Sequence, residues 1–146
     1  MPLTISIFHE ANVFNIEFLK QEISKNIPAY ERSEILLLIA KDIENASESL
    51  AETLALECGK NITFAHGDVQ RALQTFTLAA EEAKRIDGEF FGWDRVPKGA
   101  HAHALVKRFP IGPVLGITPF NFPLNLVAHK VVKGLLIDNY NHCEAF

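Results

Sequence analysis

The apolar run VLGI, Val114–Ile117, leads directly into TPFNFP and then into a stretch where Leu124, Val127, Val131 and Leu135 recur at helical spacing. No other feature of the chain restricts its fold as much. A short continuous apolar run marks a strand covered on both faces, as in a parallel sheet. Strand, tight loop and helix in succession make the first half of a βαβ unit. In open parallel sheets ligands sit beyond the carboxyl ends of the strands, where loops lead into helices, and TPFNFP occupies that place. Pro119 and Pro123 stiffen the backbone on either side of Asn121. Two roles are open to that asparagine. It can cap the helix starting near Pro123, or its amide N–H can donate to a developing oxyanion, which asparagine does without titrating.

Upstream the period is helical. Ile35, Leu38, Ile39 and Ile43 are expected to line one face of a helix over about 31–44. NASE, Asn45 to Glu48, matches a capping box opening a second helix over about 46–57, which Gly59 ends. A third helix fits Thr63 to Ile86, with Val69, Leu73, Phe76, Ala80 and Ala83 at three- and four-residue steps. Gly67 weakens its first turns by up to about 1 kcal/mol relative to alanine. GEFFGWDRVPKG reads as turn and loop. HAHALVKRF then alternates roughly in twos, as a strand with one wet face carrying Lys107 and Arg108, and Pro110, Gly112 and Pro113 make a break. Near the start, LTISIF alternates like a short strand and NIEFLKQEI suits a helix.

At 146 residues and 48% hydrophobic, the chain is long and apolar enough for one domain with a real core. A net charge of −4 without a clustered basic stripe argues against a nucleic-acid partner or an acidic membrane surface. No segment approaches the roughly 18 uninterrupted apolar residues of a membrane span. Two cysteines and no signal-peptide pattern point to a cytoplasmic setting.

The stretch RFPIGPVLGITPFNFPLNLVAHKV, Arg108 to Val131, resembles the N-terminal signature region of the aldehyde dehydrogenase superfamily. AYERSEILLLIAKDIE, LALECGKNI and AEEAKRIDGE fall in the order and rough spacing of that family's opening helices. The resemblance covers about residues 28–136. It implies an α/β chain: the helix-rich N-terminal portion of a Rossmann-type cofactor domain, with one wet strand, the first βα unit and an incomplete sheet. Residues 1–27 are then an N-terminal extension and 137–146 a divergent tail.

By the same resemblance Asn121 is the side-chain donor of the oxyanion hole. Ile117, Thr118, Pro119 and Phe120 line the path of the nicotinamide half of NAD or NADP, Phe120 standing where many members have tryptophan. Phe122, Leu126 and His129 face the substrate tunnel, and Lys130 matches a lysine tied to proton relay. The partners implied are an aldehyde substrate and a second copy or full-length relative, since members assemble through a sheet in this neighbourhood. The family's nucleophilic cysteine, general-base glutamate, cofactor lysine and glycine-rich loop belong to segments downstream of this chain. Gly112 and Gly116 do not make a Gly-x-Gly-x-x-Gly fingerprint. The chain alone is therefore expected to bind NAD or NADP weakly or not at all and to be inactive. A contrasting expectation is a non-catalytic interaction module or gene remnant that associates with a full-length relative through the edge of HAHALVKRF.

Other reactive side chains have plainer readings. Cys143 follows His142, but adjacency in sequence makes no catalytic pair, and Cys58 reads as a packed or half-exposed side chain. His101 and His103 would point the same way on a strand, yet zinc takes three or four protein ligands and no partners stand at suitable spacing.

Overall fold

The structure, a computed structural model, describes residues 27–109, 114–136 and 141–145. The strand and helix expected in LTISIF and NIEFLKQEI, and the break at 110–113, lie outside the described residues. Four helices and four strands are seen there: α1 (Ala29–Asn45), α2 (Ser47–Cys58), α3 (Ile62–Ala83), β1 (Glu89–Gly92), β2 (His103–Val106), β3 (Val114–Thr118), α4 (Pro123–Leu136) and β4 (Asn141–Ala145).

Helix α3 is the axle, packing against α1, α2 and α4. Its buried stripe runs Ala65, Val69, Ala72, Phe76, Ala79, Ala80 and Ala83. The alanines let neighbouring helices approach closely, and Phe76, 1% exposed, fills the centre. Leu36, Ile39, Ala40 and Ile43 of α1, Leu50, Ala51 and Leu54 of α2, and Leu124, Val127, Ala128, Val131 and Val132 of α4 complete one core. Each large apolar side chain buried there contributes about 1.5–3 kcal/mol.

The expected face of α1 holds at Ile39 and Ile43, with Ile35 packed against the core, but not at Leu38. Leu36 is fully buried and Leu38 is 62% exposed. In EILLLIA nearly every residue is apolar, so the period leaves the inward face undefined, and packing against α3 decides it. The capping box also fails. Asn45 is the last residue of α1, and the N-cap of α2 is Ala46, with no side-chain cap. Only one residue separates the two helices, leaving no extended residue from which an asparagine could reach forward. The break after α2 is made by Gly59, whose φ of 61° places it in the left-handed region that favours glycine. Asn61 then caps α3, its side chain accepting from the Thr63 N–H at 2.9 Å.

Gly67 lies inside α3, and a Cβ built on it meets nothing within 4 Å. Gly67→Ala is therefore expected to stabilise the chain by about 0.5–1 kcal/mol, read as a rise in denaturation midpoint at unchanged slope.

GEFFGWDRVPKG is not all loop. Glu89–Gly92 forms β1 and pairs antiparallel with β2, Phe90 opposite Leu105 and Gly92 opposite His103. The Trp93 N–H donates to the Ala102 carbonyl at 2.8 Å, closing the ribbon. A 3-10 turn, Pro97–Gly99, folds under Trp93, where a Cβ on Gly99 would stand 1.9 Å from the Trp93 carbonyl oxygen. Glycine is required at that approach. The turn signals Gly92 and Asp94–Gly99 masked a strand only four residues long. The expected strand is present but short, His103–Val106, with Lys107 and Arg108 beyond its end and residues of both faces exposed.

The β3–α4 unit folds as expected, and β4 pairs parallel with β3 from Val114 opposite Asn141 to Thr118 opposite Ala145. The apolar signal missed this second strand, because NHCEA carries no such run and its pairing runs through backbone groups. The sheet remains open, with two strands. Beside Thr118, which is buried, Ile117 is 57% exposed, so the strand is not covered on both faces here.

Candidate functional site

Strand β3 ends at Thr118 and α4 starts at Pro123, so Pro119–Phe122 form the turn between them. Proline at the first helical position sets φ for the helix and forgoes an N–H that would have no intrahelical partner. The Leu126 N–H donates to the Phe122 carbonyl at 2.9 Å, the first bond of the helix. Asn121 is exposed, and its side chain makes no hydrogen bond among the described residues. It does not cap α4. Of its two possible roles, capping is thereby removed.

The cap comes from α3. Asp68 is buried, and its Oδ1 accepts from the backbone N–H of Asn125, in the first turn of α4, at 3.1 Å. Its Oδ2 accepts from Lys60 Nζ at 3.3 Å. The Thr75 hydroxyl lies 2.9 Å from the Arg71 carbonyl and 3.1 Å from Asn125 Oδ1. The first turn of α4 is thus held to α3 by both the backbone and the side chain of Asn125.

Two cations flank the ring beside Asn121. Lys60 Nζ stands 4.6 Å and Arg71 Cζ 5.3 Å from the Phe122 ring centroid, contacts worth about 0.5–2 kcal/mol each. Asp68 neutralises Lys60. Arg71 is exposed, and among the described residues no carboxylate pairs with it. Lys60, Asp68 and Arg71 together therefore leave one positive charge beside the Phe122 ring.

Of the residues expected to line the cofactor path, Ile117 and Pro119 are exposed, Phe120 is half-buried and Thr118 is buried. Among the described residues Thr118 Oγ1 has no hydrogen-bond partner, a condition native proteins relieve with a neighbouring strand, ligand or water. Of the residues expected to face the substrate, Phe122 and His129 are exposed and Leu126 is half-buried. Their spacing of four and three places them on one stripe of α4, away from the buried Leu124, Val127 and Val131. Lys130 is exposed on the same helix. The end of β3 and the turn after it thus gather Ile117 to Phe122, while His129 and Lys130 stand about two turns along α4.

Sequence reading missed Lys60, Asp68, Arg71, Thr75 and Asn125. A signal for Asp68 was present, since it falls within the buried stripe of α3, where a carboxylate must have partners.

The remaining reactive groups stay apart from this cluster. Burial pushes the Cys58 thiol above its ordinary range, with Lys60 opposing, so it is a poor nucleophile. His103 stacks on Phe90 at 5.3 Å, and among the described residues no three His, Cys, Asp or Glu come together to hold a metal. Cys143 lies in β4 opposite Gly116, and its side chain is outside the described residues.

The model of the aldehyde dehydrogenase family matches residues 19–141. The chain belongs to the aldehyde dehydrogenase family. It is 40% identical over 120 residues to the 3-sulfolactaldehyde dehydrogenase of Priestia megaterium, covering 82% of this chain and 25% of that protein. Aldehyde dehydrogenase 21 of Physcomitrella patens, solved with its reaction product succinate, superposes with a TM-score of 0.77 at 41% identity, covering 82% of this chain and 25% of that one. The NADP-dependent glyceraldehyde-3-phosphate dehydrogenase of Bacillus halodurans, solved with NADP, gives 0.77 at 35% identity, covering 85% and 26%. This aldehyde dehydrogenase chain therefore spans about a quarter of the length of the relatives it matches. No helix among its described residues is long and apolar enough to cross a membrane.

Proposed function

We propose that the chain supplies the oxyanion donor and part of the nicotinamide wall of an NAD- or NADP-dependent aldehyde dehydrogenase, and that it does not turn over by itself. The observation that carries this is the uncommitted, exposed amide of Asn121 on a turn held between two prolines, its capping duty taken by Asp68. A donor so placed meets an aldehyde oxygen as negative charge develops on it. The exposed apolar side chains of Ile117 and Pro119 at the end of β3 suit the flat face of a nicotinamide ring, with Thr118 and Phe120 behind them. When bound, that cofactor supplies the hydride acceptor; these residues only border it. The segments expected to grip its adenosine half are not in this sequence, so the chain alone binds it weakly or not at all. Lys130, exposed on α4, serves proton relay, and Phe122, Leu126 and His129 face the aldehyde. The sparse cysteines agree with a cytoplasmic setting.

The aldehyde carries an anionic group. Arg71, unpaired among the described residues beside Phe122, supplies the charge to receive it, and relatives act on a sulfonated aldehyde or hold a dicarboxylate product. A second reading, an interaction module that joins a full-length relative, draws support from Phe90 and Leu105, which are opposed and exposed on the β1–β2 ribbon.

The test has two arms. The purified chain should form no NADH or NADPH with any aldehyde, and turnover that vanishes with Cys143→Ser would refute this. Exchanged for the corresponding quarter of the Priestia megaterium enzyme, residues 27–136 should support oxidation. There Arg71→Met should raise KM for an anionic aldehyde about tenfold or more, the worth of a charged hydrogen bond, and leave an uncharged one unaffected. Equal effects on both substrates would refute the anionic class.

A further inference from the structure

Asp68 and Lys60 lie on α3 and in the loop before it, far in sequence from the Asn121 turn, yet they meet its helix. From their arrangement we infer that Asp68 is a positioning residue for Asn121: it takes the first-turn N–H of α4 and so fixes the turn that aims the amide, while Lys60 cancels its charge. The inference rests on the reading of Asn121 as an oxyanion donor.

The chemistry accounts for the choice of residues. Helix α4 begins at Pro123 and its N-cap position is Phe122, whose side chain accepts no hydrogen bond. Its first-turn N–H groups need an acceptor from elsewhere. Asn121, if it capped, would lose its availability to substrate. An acceptor reaching in from α3 resolves the conflict. Asp68 has two donors to satisfy on its two oxygens, Asn125 N–H at 3.1 Å and Lys60 Nζ at 3.3 Å. A carboxylate accepts on both oxygens; an asparagine accepts on one and turns an NH2 toward the other donor.

A bare carboxylate beside an oxyanion site would oppose the charge that the site must favour. Lys60, its side chain 17% exposed, removes that opposition while its ammonium also lies over the Phe122 ring. The three groups form one unit: anionic cap, cationic neutraliser and aromatic floor. Thr75 adds a second tie to Asn125 through its side chain.

Residue-resolved hydrogen–deuterium exchange on the full chain tests this, with Leu36, Ile43 and Phe76 amides as internal references. Asp68→Asn should speed exchange of the Asn125 amide at least about tenfold and shift the side-chain amide resonances of Asn121 with it, the reference amides staying within threefold of wild type. Lys60→Met should leave Asn125 protected. The double variant Asp68→Asn with Lys60→Met should restore protection to within threefold of wild type, because the single amide oxygen then serves Asn125 alone. A merely structural role predicts no such rescue. Unchanged exchange at Asn125 in Asp68→Asn, acceleration shared equally by the reference amides, or a double variant no better than the single one would overturn the inference. No aldehyde or cofactor enters the measurement, so its failure leaves the kinetic test of Asn121 standing, and the converse holds.

Discussion

Asn121→Ala, made in the exchanged enzyme that carries residues 27–136, is expected to lower kcat about 10²- to 10³-fold while KM changes little. Removing one preorganised oxyanion donor costs that much because the donor acts on charge present only as the transition state forms. Stability should be almost untouched. The side chain is exposed and makes no hydrogen bond among the described residues, and substitutions at such surface positions fall within about 0.5 kcal/mol. Asn121→Asp, of the same size, should be worse still, since it sets a negative charge against the developing one. Steady-state kinetics alongside a thermal melt separates the two effects. Activity within threefold of the parent, or a melt shifted enough to account for the loss, would remove Asn121 from the chemistry.

Purified alone, the chain should self-associate at low micromolar concentration and melt broadly. Leu56 is 86% exposed, Leu105 77%, and Phe64, Phe90, Leu78 and Ile117 are also exposed. Burying each such side chain is worth about 1.5–3 kcal/mol. Several left open therefore match the whole net stability of a domain, about 5–15 kcal/mol. The open two-stranded sheet adds unpaired edge to this apolar surface. Sedimentation velocity across a concentration series, with a parallel calorimetric melt, decides the matter. Concentration-dependent larger species and a shallow transition are expected. A monomer with one sharp cooperative transition would show that the chain needs no partner to complete it. Phe90→Lys should reduce the association if the β1–β2 ribbon is a contact, because a charge on that face must be desolvated to pair.

Much of this protein was legible from residue order alone. The helices around Ile39, Leu54 and Phe76, the strand at Val114, the proline-bounded turn and the amphipathic α4 follow from period, glycine and proline. Those signals act over one to four residues, within the reach of a backbone dihedral or a helical turn. The family likeness in Arg108–Val131 is of the same kind, a local run of residues. What lay beyond local reach was decided by tertiary contact. Leu36 rather than Leu38 faces inward because α3 lies on that side of an all-apolar segment. Glu89–Gly92 is a strand because β2 supplies its hydrogen bonds across the ribbon, and β4 is a strand because β3 does. Among the described residues Asn121 is left free for the same reason. Its helix is capped by a carboxylate 57 residues away from Asn125, and no local pattern records which distant acceptor satisfies a backbone N–H. Propensity chose the elements; the pairing of donors and acceptors across the fold settled which side chain was spared from capping.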